Sequence, residues 1–320
     1  MPGQRLIHVA AGAITDAAGR ILIAKRPDGA HQGGLWEFPG GKLLPGETPR
    51  QGLDRELAEE LGIRVTAARP LISVQHDYGD RRVLLDVHLV TAYEGAPEGR
   101  EGQPLDWLAP AAMDPARFPA ADRSIITALR LPSRYLITGA DPHETGAFLA
   151  RLDKALSEGI GLVQLRAHGL DDGAYATLAE TALALCRRAG ARLILNRTAA
   201  VAAALDADGL HVPAPLLRRL TERPLPAGRL VGASCHDAEE LARAAALGLD
   251  YAFLSPVAAT ASHPDARPLG WGGFAKLVTP ATLPVYALGG LGVEDLRTAF
   301  EHGAQGIAGI SGFWPEAPGS

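Results

Sequence analysis

Apolar, β-favouring residues fill Leu6–Ile14 and return at Ile21–Ala24, with Asp16-Ala17-Ala18-Gly19 between them as a hairpin turn. Leu71–Gln75 and Val83–Ala92 are two further strand candidates. Between these pairs the period changes. Leu53, Leu57 and Leu61 recur every fourth residue, a helical stripe suited to packing on a core. Thr48 precedes the stripe, Pro49 sits in the first turn where a missing N–H costs nothing, and Gly62 ends it. Glu56, Glu59 and Glu60 fall on a second face, because at about 100° per residue the i, i+3, i+4 spacing aligns them. Gly52 falls on this carboxylate face, where it is expected to leave room for a bulky ligand. The glycine loop Gly40–Gly46 is expected to lay backbone beside it. Asp114–Phe118 leads to a second helix, about Ala120–Arg130, with Ile125, Ile126 and Leu129 on one side. Two helices on a mixed sheet predict a layered α+β domain.

From Arg134 the pattern becomes an alternation of short apolar runs and alanine-rich helical stretches. The strand candidates are Tyr135–Thr138, Leu162–Arg166, Arg192–Asn196, Gly209–Val212, Leu230–Ser234, Tyr251–Ser255, Val285–Gly289 and Gly306–Ser311. Eight strands with intervening helices in about 180 residues predict a compact (β/α)8 TIM barrel. A short join at Leu131–Arg134, with Pro132, divides the chain into domains 1–131 and 132–320. Arg166, Asn196, His211, Ser234, Ser255 and Ser311 stand where strands end, the face on which barrel sites form. Gly289, Gly290 and Gly309 follow the last two strands, where backbone N–H groups can approach a phosphate.

Composition narrows the function classes. A net charge of -5 leaves no basic footprint, so nucleic acid is not an expected partner. No apolar run reaches the roughly 18 residues a membrane span needs, and the N-terminus lacks a signal-peptide pattern, so a cytoplasmic enzyme without a membrane partner is expected. Cys186 and Cys235 stand in apolar settings and make neither a zinc site nor a disulfide framework.

Like charges at i, i+4 cost a helix roughly 0.2–0.5 kcal/mol per pair. A hard cation with oxygen ligands would convert that repulsion into binding. An isolated E-x-x-E-E is more often a solvated acidic face. Here its surroundings decide. Gly41, Glu47, Arg55-Glu56, Glu59-Glu60 and Gly62, with aliphatics after Glu56 and Gly62, fill every fixed position of a 23-residue string that resembles the Nudix box. K-R-P-D-G-A-H, W-E-F-P-G-G-K, R-E-G-Q-P-L-D-W and F-P-A-A-D further resemble the MutT branch, the 8-oxo-dGTP diphosphatases. The resemblance implies an α+β Nudix fold, with a mixed sheet between helices. It implies Mg²⁺, with Mn²⁺ as an alternative, held by the Gly40 carbonyl and by Glu56, Glu59 and Glu60. Arg26 and His31 would hold a nucleoside triphosphate, and Glu37, Phe38, Pro39 and Gly40 would line the base or sugar pocket. Glu101 would be a further metal ligand or a proton acceptor, Glu56 or Glu101 would take the proton, and Arg55 would pair with Glu47 to brace the loop against the helix. Where the family reads the oxidised purine with an Asn, this chain has Asp122. An amide donates and accepts, whereas an ionised carboxylate only accepts.

In the second half L-V-Q-L-R, L-I-L-N, D-G-L-H-V, V-G-A-S-C-H, S-P-V…P-L-G-W and A-L-G-G resemble thiamine phosphate synthase and its relative, the thiazole tautomerase. The resemblance implies a ligand site at Arg166, Asn196, Ser234, His236, Gly289, Gly290 and Ser311, suited to a thiazole or thiamine phosphate. The acidic residues expected after strands three and four are replaced, by Arg197 and within Pro213-Ala214-Pro215-Leu216. A lysine expected after strand six is absent near His263. Arg197 is expected to put positive charge where the synthase holds its metal, and His236 is the candidate acid/base of a tautomerase.

Three readings follow. The first is a Mg²⁺-dependent 8-oxo-dGTP diphosphatase, which sanitises the nucleotide pool and so serves DNA repair and replication fidelity, fused to a barrel of degenerate synthase activity. The second is a Nudix site acting on a thiamine-pathway diphosphate. In the third the barrel is a non-catalytic binding module or a tautomerase.

Overall fold

The computed structural model describes residues 6–29, 31–139, 141–260 and 266–314. The chain forms two compact units. One comprises Met1–Arg130 with Thr279–Thr282, and the other Leu131–Val278 with Leu283–Ser320.

The first unit begins with β1 (Leu6–Ile14), β2 (Ile21–Lys25), β3 (Trp36–Glu37) and β4 (Gly40–Lys42). Helix α1 (Pro49–Leu61) follows, then β5 (Arg64–Asp77), β6 (Arg82–Glu94), β7 (Leu105–Leu108) and helix α2 (Asp122–Arg130). These strands form two sheets where one mixed sheet was expected. A four-stranded mixed sheet runs β4-β1-β6-β5, and a three-stranded sheet runs β3-β2-β7. The expected glycine loop is also different: Gly40–Lys42 is a strand, pairing antiparallel with β1 through Ala11↔Gly40, Ala10↔Gly41 and Val9↔Lys42.

Helix α1 starts and stops where its sequence directs. Thr48 and Gln51 form a reciprocal capping box, and Gly62 closes the helix at φ 71°. Leu53, Leu57 and Leu61 are fully buried against Ala10, Ile14, Leu22 and Ile63. Burial at about 1.5–3 kcal/mol per leucine outweighs the repulsion on the acidic face. That face is thereby fixed against β4.

The second unit is a closed parallel barrel. Its strands are β8 (Arg134–Ile137), β9 (Leu162–Leu165), β10 (Arg192–Leu195), β11 (Gly209–Val212), β12 (Leu230–Cys235), β13 (Tyr251–Leu254), β14 (Val285–Leu288) and β15 (Gly306–Gly309). Tyr135, Tyr251, Tyr286 and Phe253 fill the interior with Ile137, Leu162 and Ile194. Buried phenols need partners. The Tyr135 and Tyr251 hydroxyls meet at 2.6 Å, and the Tyr286 hydroxyl donates to the Pro132 carbonyl at 2.6 Å.

Candidate functional site

Strand β4 joins two features of the first unit. On one side lies the acidic face of α1. The Gly40 N–H donates to Glu60 Oε2 at 3.2 Å. A Cβ on Gly41 would stand 2.3 Å from the Glu56 carboxyl, so the bare glycine makes room for it. Gly52 does not serve a ligand as expected: a Cβ there would meet Leu43 Cδ2 at 2.1 Å, so its space belongs to the core-facing Leu43.

Arg55 organises the carboxylates. Its guanidinium grips Glu47 through two hydrogen bonds of 2.8 and 2.9 Å, and it donates to Glu56 at 2.8 Å and Glu59 at 3.3 Å. It also reaches the Lys42 carbonyl at 3.0 Å, tying the helix to β4. Arg55 holds the Glu47 carboxyl down at about 2, while the Arg55 guanidinium is itself raised by Glu47 and Glu56. Glu60 is the reverse case. Burial, then the charges of Glu56 and Glu101, push it up to about 7. Four carboxylates thus feel one another, and Glu60 bears the cost.

Among the described residues, no three acidic, histidine or cysteine side chains converge as a formed metal cage. Glu56 and Glu59 are turned toward Arg55 instead. The donors are nevertheless hard oxygens under mutual repulsion, which is the chemistry a divalent cation relieves. Glu56, Glu59, Glu60 and the Gly40 carbonyl are therefore the residues that would hold one. Glu101 is exposed in its loop, its N–H bonded to Gln103 Oε1 at 2.9 Å.

On the other side of β4 lies a pocket of about 240 Å³. Arg26, His31, Glu37, Phe38, Gly40 and Asp122 line it, as the sequence led us to expect. Pro39 does not; it is buried, and its carbonyl accepts from Gly12 at 2.8 Å. Arg26 is ion-paired to Glu37 within the wall, and its Nε donates to the His31 carbonyl at 3.0 Å. Asp122 is 6% exposed, and burial pushes its carboxyl up to about 7 against the pull of Arg26. The acceptor-only behaviour of an ionised carboxylate therefore applies to Asp122 only above that value. Sequence reasoning missed Tyr78 and Arg81 in this wall, which come from the β5–β6 connection and carry no motif.

In the barrel, a cavity of about 890 Å³ opens among the strand ends. Arg166, Asn196, Ser234, His236, Gly289, Gly290 and Ser311 all line it. His236 Nδ1 lies 2.8 Å from the Ser255 carbonyl. A carbonyl only accepts, so Nδ1 is the donor in this contact. Asp237, not His236, caps the following helix. Gln164 and His211 also line the cavity. His211 is neutral, held down to about 3 by burial, with Nε2 2.8 Å from Ser234 Oγ. Its Nδ1 and Gln164 Oε1 are buried without a hydrogen-bond partner among the described residues.

Arg197 departs from expectation. It stacks 4.3 Å over the Tyr175 ring and donates to the Ala167 and Leu170 carbonyls at 3.3 and 2.9 Å. It is not among the residues lining the cavity, so it does not stand in for a metal. The cavity's described lining includes one carboxylate, Glu294, and one guanidinium, Arg166. His263 lies outside the described residues.

Two family models match the chain: a NUDIX domain over residues 10–128 and thiamine monophosphate synthase over residues 134–313. The chain is a Nudix hydrolase domain fused to a member of the thiamine monophosphate synthase family. The Nudix half is 46% identical over 102 residues to an 8-oxo-dGTP diphosphatase of Proteus vulgaris, covering 32% of this chain and 91% of that one. It is also 42% identical over 107 residues to a CTP pyrophosphohydrolase of Escherichia coli (strain K12), covering 33% and 78%. The synthase-like half is 34% identical over 185 residues to a thiamine-phosphate synthase of Syntrophomonas wolfei subsp. wolfei, covering 56% and 87%. The Nudix half is an enzyme domain of the MutT type. Among the described residues no helix is long and apolar enough to cross a membrane.

Proposed function

We propose that the Nudix half hydrolyses 8-oxo-dGTP to 8-oxo-dGMP and diphosphate, sanitising the nucleotide pool. The observation that carries this reading is strand β4, which has the 240 Å³ pocket on one side and the acidic helix face on the other. A pocket of that size takes a base and leaves the phosphates to lie along Gly40–Lys42 toward Glu56, Glu59 and Glu60. A divalent cation held there, Mg²⁺ first and Mn²⁺ as the alternative, supplies neutralisation of the anhydride oxygens. Arg55 fixes Glu56, which takes the proton from the attacking water. Glu101, exposed on its loop, is the second acceptor that mutation must separate from it. Arg26, braced by Glu37, and His31 close the wall around the nucleoside.

The barrel half is proposed to bind a thiazole or thiamine monophosphate. Gly289 and Gly290, at φ 103° and 67°, keep backbone close to the cavity, and Gln164, Asn196 and Ser234 offer hydrogen bonds to a heterocycle. Among the described lining residues Glu294 is the one carboxylate, which does not favour synthase chemistry on a Mg²⁺–diphosphate. His236, whose Nδ1 donates to the Ser255 carbonyl at the cavity, is the group to test for tautomerase activity.

The experiment is a panel with full-length protein and Mg²⁺, reading released phosphate and diphosphate. It contains 8-oxo-dGTP, dGTP, CTP and, because of the fusion, hydroxymethylpyrimidine and thiamine diphosphates. Turnover of 8-oxo-dGTP at least tenfold above the rest is expected. A thiamine-pathway diphosphate as the best substrate would replace this reading with the pathway one.

A further inference from the structure

Helix α1 ends at Leu61, so the carbonyls from Ala58 to Leu61 lack partners within the regular helix. The Gly62 N–H takes up the Ala58 carbonyl at 3.2 Å, as a left-handed cap does. Glu60 and Leu61 are met from a distant part of the chain, the connection between β6 and β7. The Glu98 N–H donates to the Leu61 carbonyl at 3.0 Å, and the Arg100 N–H to the Glu60 carbonyl at 3.0 Å. The Arg100 guanidinium donates to the Ala58 carbonyl at 3.2 Å and lies against Gly62, where a Cβ would collide with it. Its positive charge there suits the negative end of the helix dipole. The other end of the connection is tied to β2, whose Lys25 N–H donates to the Pro104 carbonyl at 2.9 Å. The connection is thus docked on the helix that carries Glu56, Glu59 and Glu60.

Gln103 adds a link of another kind. Its Nε2 donates to the Glu60 carbonyl at 3.3 Å, and its Oε1 accepts from the Glu101 N–H at 2.9 Å. One neighbour only accepts and the other only donates, so a single orientation of the amide satisfies both. One half-buried side chain therefore ties the backbone of Glu60 to that of Glu101. Glu101 itself is exposed, in a turn closed by the Gly102 N–H and the Gly99 carbonyl at 3.0 Å. Its carboxyl is near enough to the acidic face for its charge to act on Glu60. Resting on the hydrolase reading above, we propose that Gln103 is a positioning residue for that reaction, whose amide presents Glu101 to the acidic face of α1. An exposed glutamate on a turn samples many positions, and a reacting group held in one position avoids that entropy cost at the moment of reaction.

The test is a double-mutant cycle between Gln103→Met and Glu101→Gln in the full-length protein. Methionine keeps the length of Gln103 and adds no charge, but makes neither bond. Two quantities are read: kcat on 8-oxo-dGTP with Mg²⁺, and Mg²⁺ affinity by calorimetry without nucleotide. Each single variant should lower kcat at least about tenfold. The double variant should stay within about twofold of Glu101→Gln alone, because a carboxylate that is gone cannot be misplaced. Mg²⁺ affinity should fall about threefold or more in each single variant and no further in the double, since a carboxylate held at the face attracts a cation whether it ligates it or only neighbours it. A Gln103→Met protein with wild-type kcat and Mg²⁺ affinity overturns the proposal. So does a loss of equal size in both backgrounds, which is what loosening of the loop without regard to Glu101 produces, or a Glu101→Gln protein unchanged in both readings. If Mg²⁺ binds but no nucleotide is turned over, the hydrolase reading falls, and the same cycle in Mg²⁺ affinity still decides whether Gln103 acts through Glu101.

Discussion

Glu60 is where the acidic face concentrates its electrostatic cost. Its carboxyl is pushed up to about 7, chiefly by burial, whereas an unfolded chain ionises it near 4.5. Between those values the folded state holds a proton that the unfolded state has released. Metal-free stability must therefore fall as pH rises through that window, and the penalty is complete above it. Glu60→Gln removes the charge but keeps an oxygen for the Gly40 N–H. In chelator at pH 8 the variant should melt several degrees above wild type, with the gap closing by pH 5. With Mg²⁺ it should lose at least ~10²-fold in kcat, as electrostatic elements of active sites generally do. Thermal melts and steady-state rates on the same preparations check both halves. A variant no more stable than wild type at pH 8, or one with near-normal turnover, would mean that Glu60 is merely solvated.

At the scale of elements, the junction of β4 with α1 sets the site, and two glycines there make opposite predictions. A Cβ on Gly41 would press on the Glu56 carboxyl, the free end of a flexible side chain, so Gly41→Ala should fold but displace Glu56 and cost at least tenfold in kcat. A Cβ on Gly52 would press on Leu43, so Gly52→Ala should shift stability by about 1–3 kcal/mol through overpacking. Its kcat should change less than threefold. Denaturant titrations beside rate measurements separate the two, and equal losses of rate would undo the assignment. The contrast also marks what the sequence could reveal. Helix α1 was legible to the residue, because Thr48, Pro49 and Gly62 act locally and the leucine stripe has one period. The eight barrel strands were legible because each is a short apolar run between helices. β5 was only half legible: register shifts at Val65/Ala67, Ala67/Ala68 and Pro70/Ile72 break the period-two alternation. β4 was hidden because two glycines carry no strand signal, although their space is what admits Glu56. The sites followed the same rule. Motif residues such as Arg26 and Glu60 could be singled out from their spacing, while Tyr78, Gln164 and the inward burial of Asp122 depend on packing that no local spacing encodes.

For the whole molecule, the question is whether the two halves depend on each other for folding. The two cores of the Nudix unit draw only on residues from Ala10 to Leu129, and the barrel's core cluster only on residues from Leu131 to Ile310. The relatives divide in the same way, since the Proteus vulgaris diphosphatase is matched over 91% of its length by 102 residues of this chain. Separate cores predict separate cooperative transitions. Full-length protein should show two calorimetric transitions. Mg²⁺ with a non-hydrolysable nucleotide should raise one, and thiamine monophosphate or thiazole phosphate the other, by linkage. Gly290→Asp is a poor probe of the second site, because a Cβ there would meet the Ala259 carbonyl at 2.2 Å and distort the loop whether or not a phosphate binds. Ser311→Asp is the cleaner variant, since Ser311 is exposed and lines the cavity, so the new charge repels an anionic ligand without crowding the core. It should abolish the phosphate-ester shift and leave the nucleotide shift intact. Residues 1–131 expressed alone should be soluble and hydrolyse nucleotide within about threefold of the full chain's kcat/KM, as expected for a domain with its own core. An insoluble or inactive fragment beside an active full-length protein would show that the barrel completes the hydrolase, and a single transition shifted by either ligand would show that the halves fold as one.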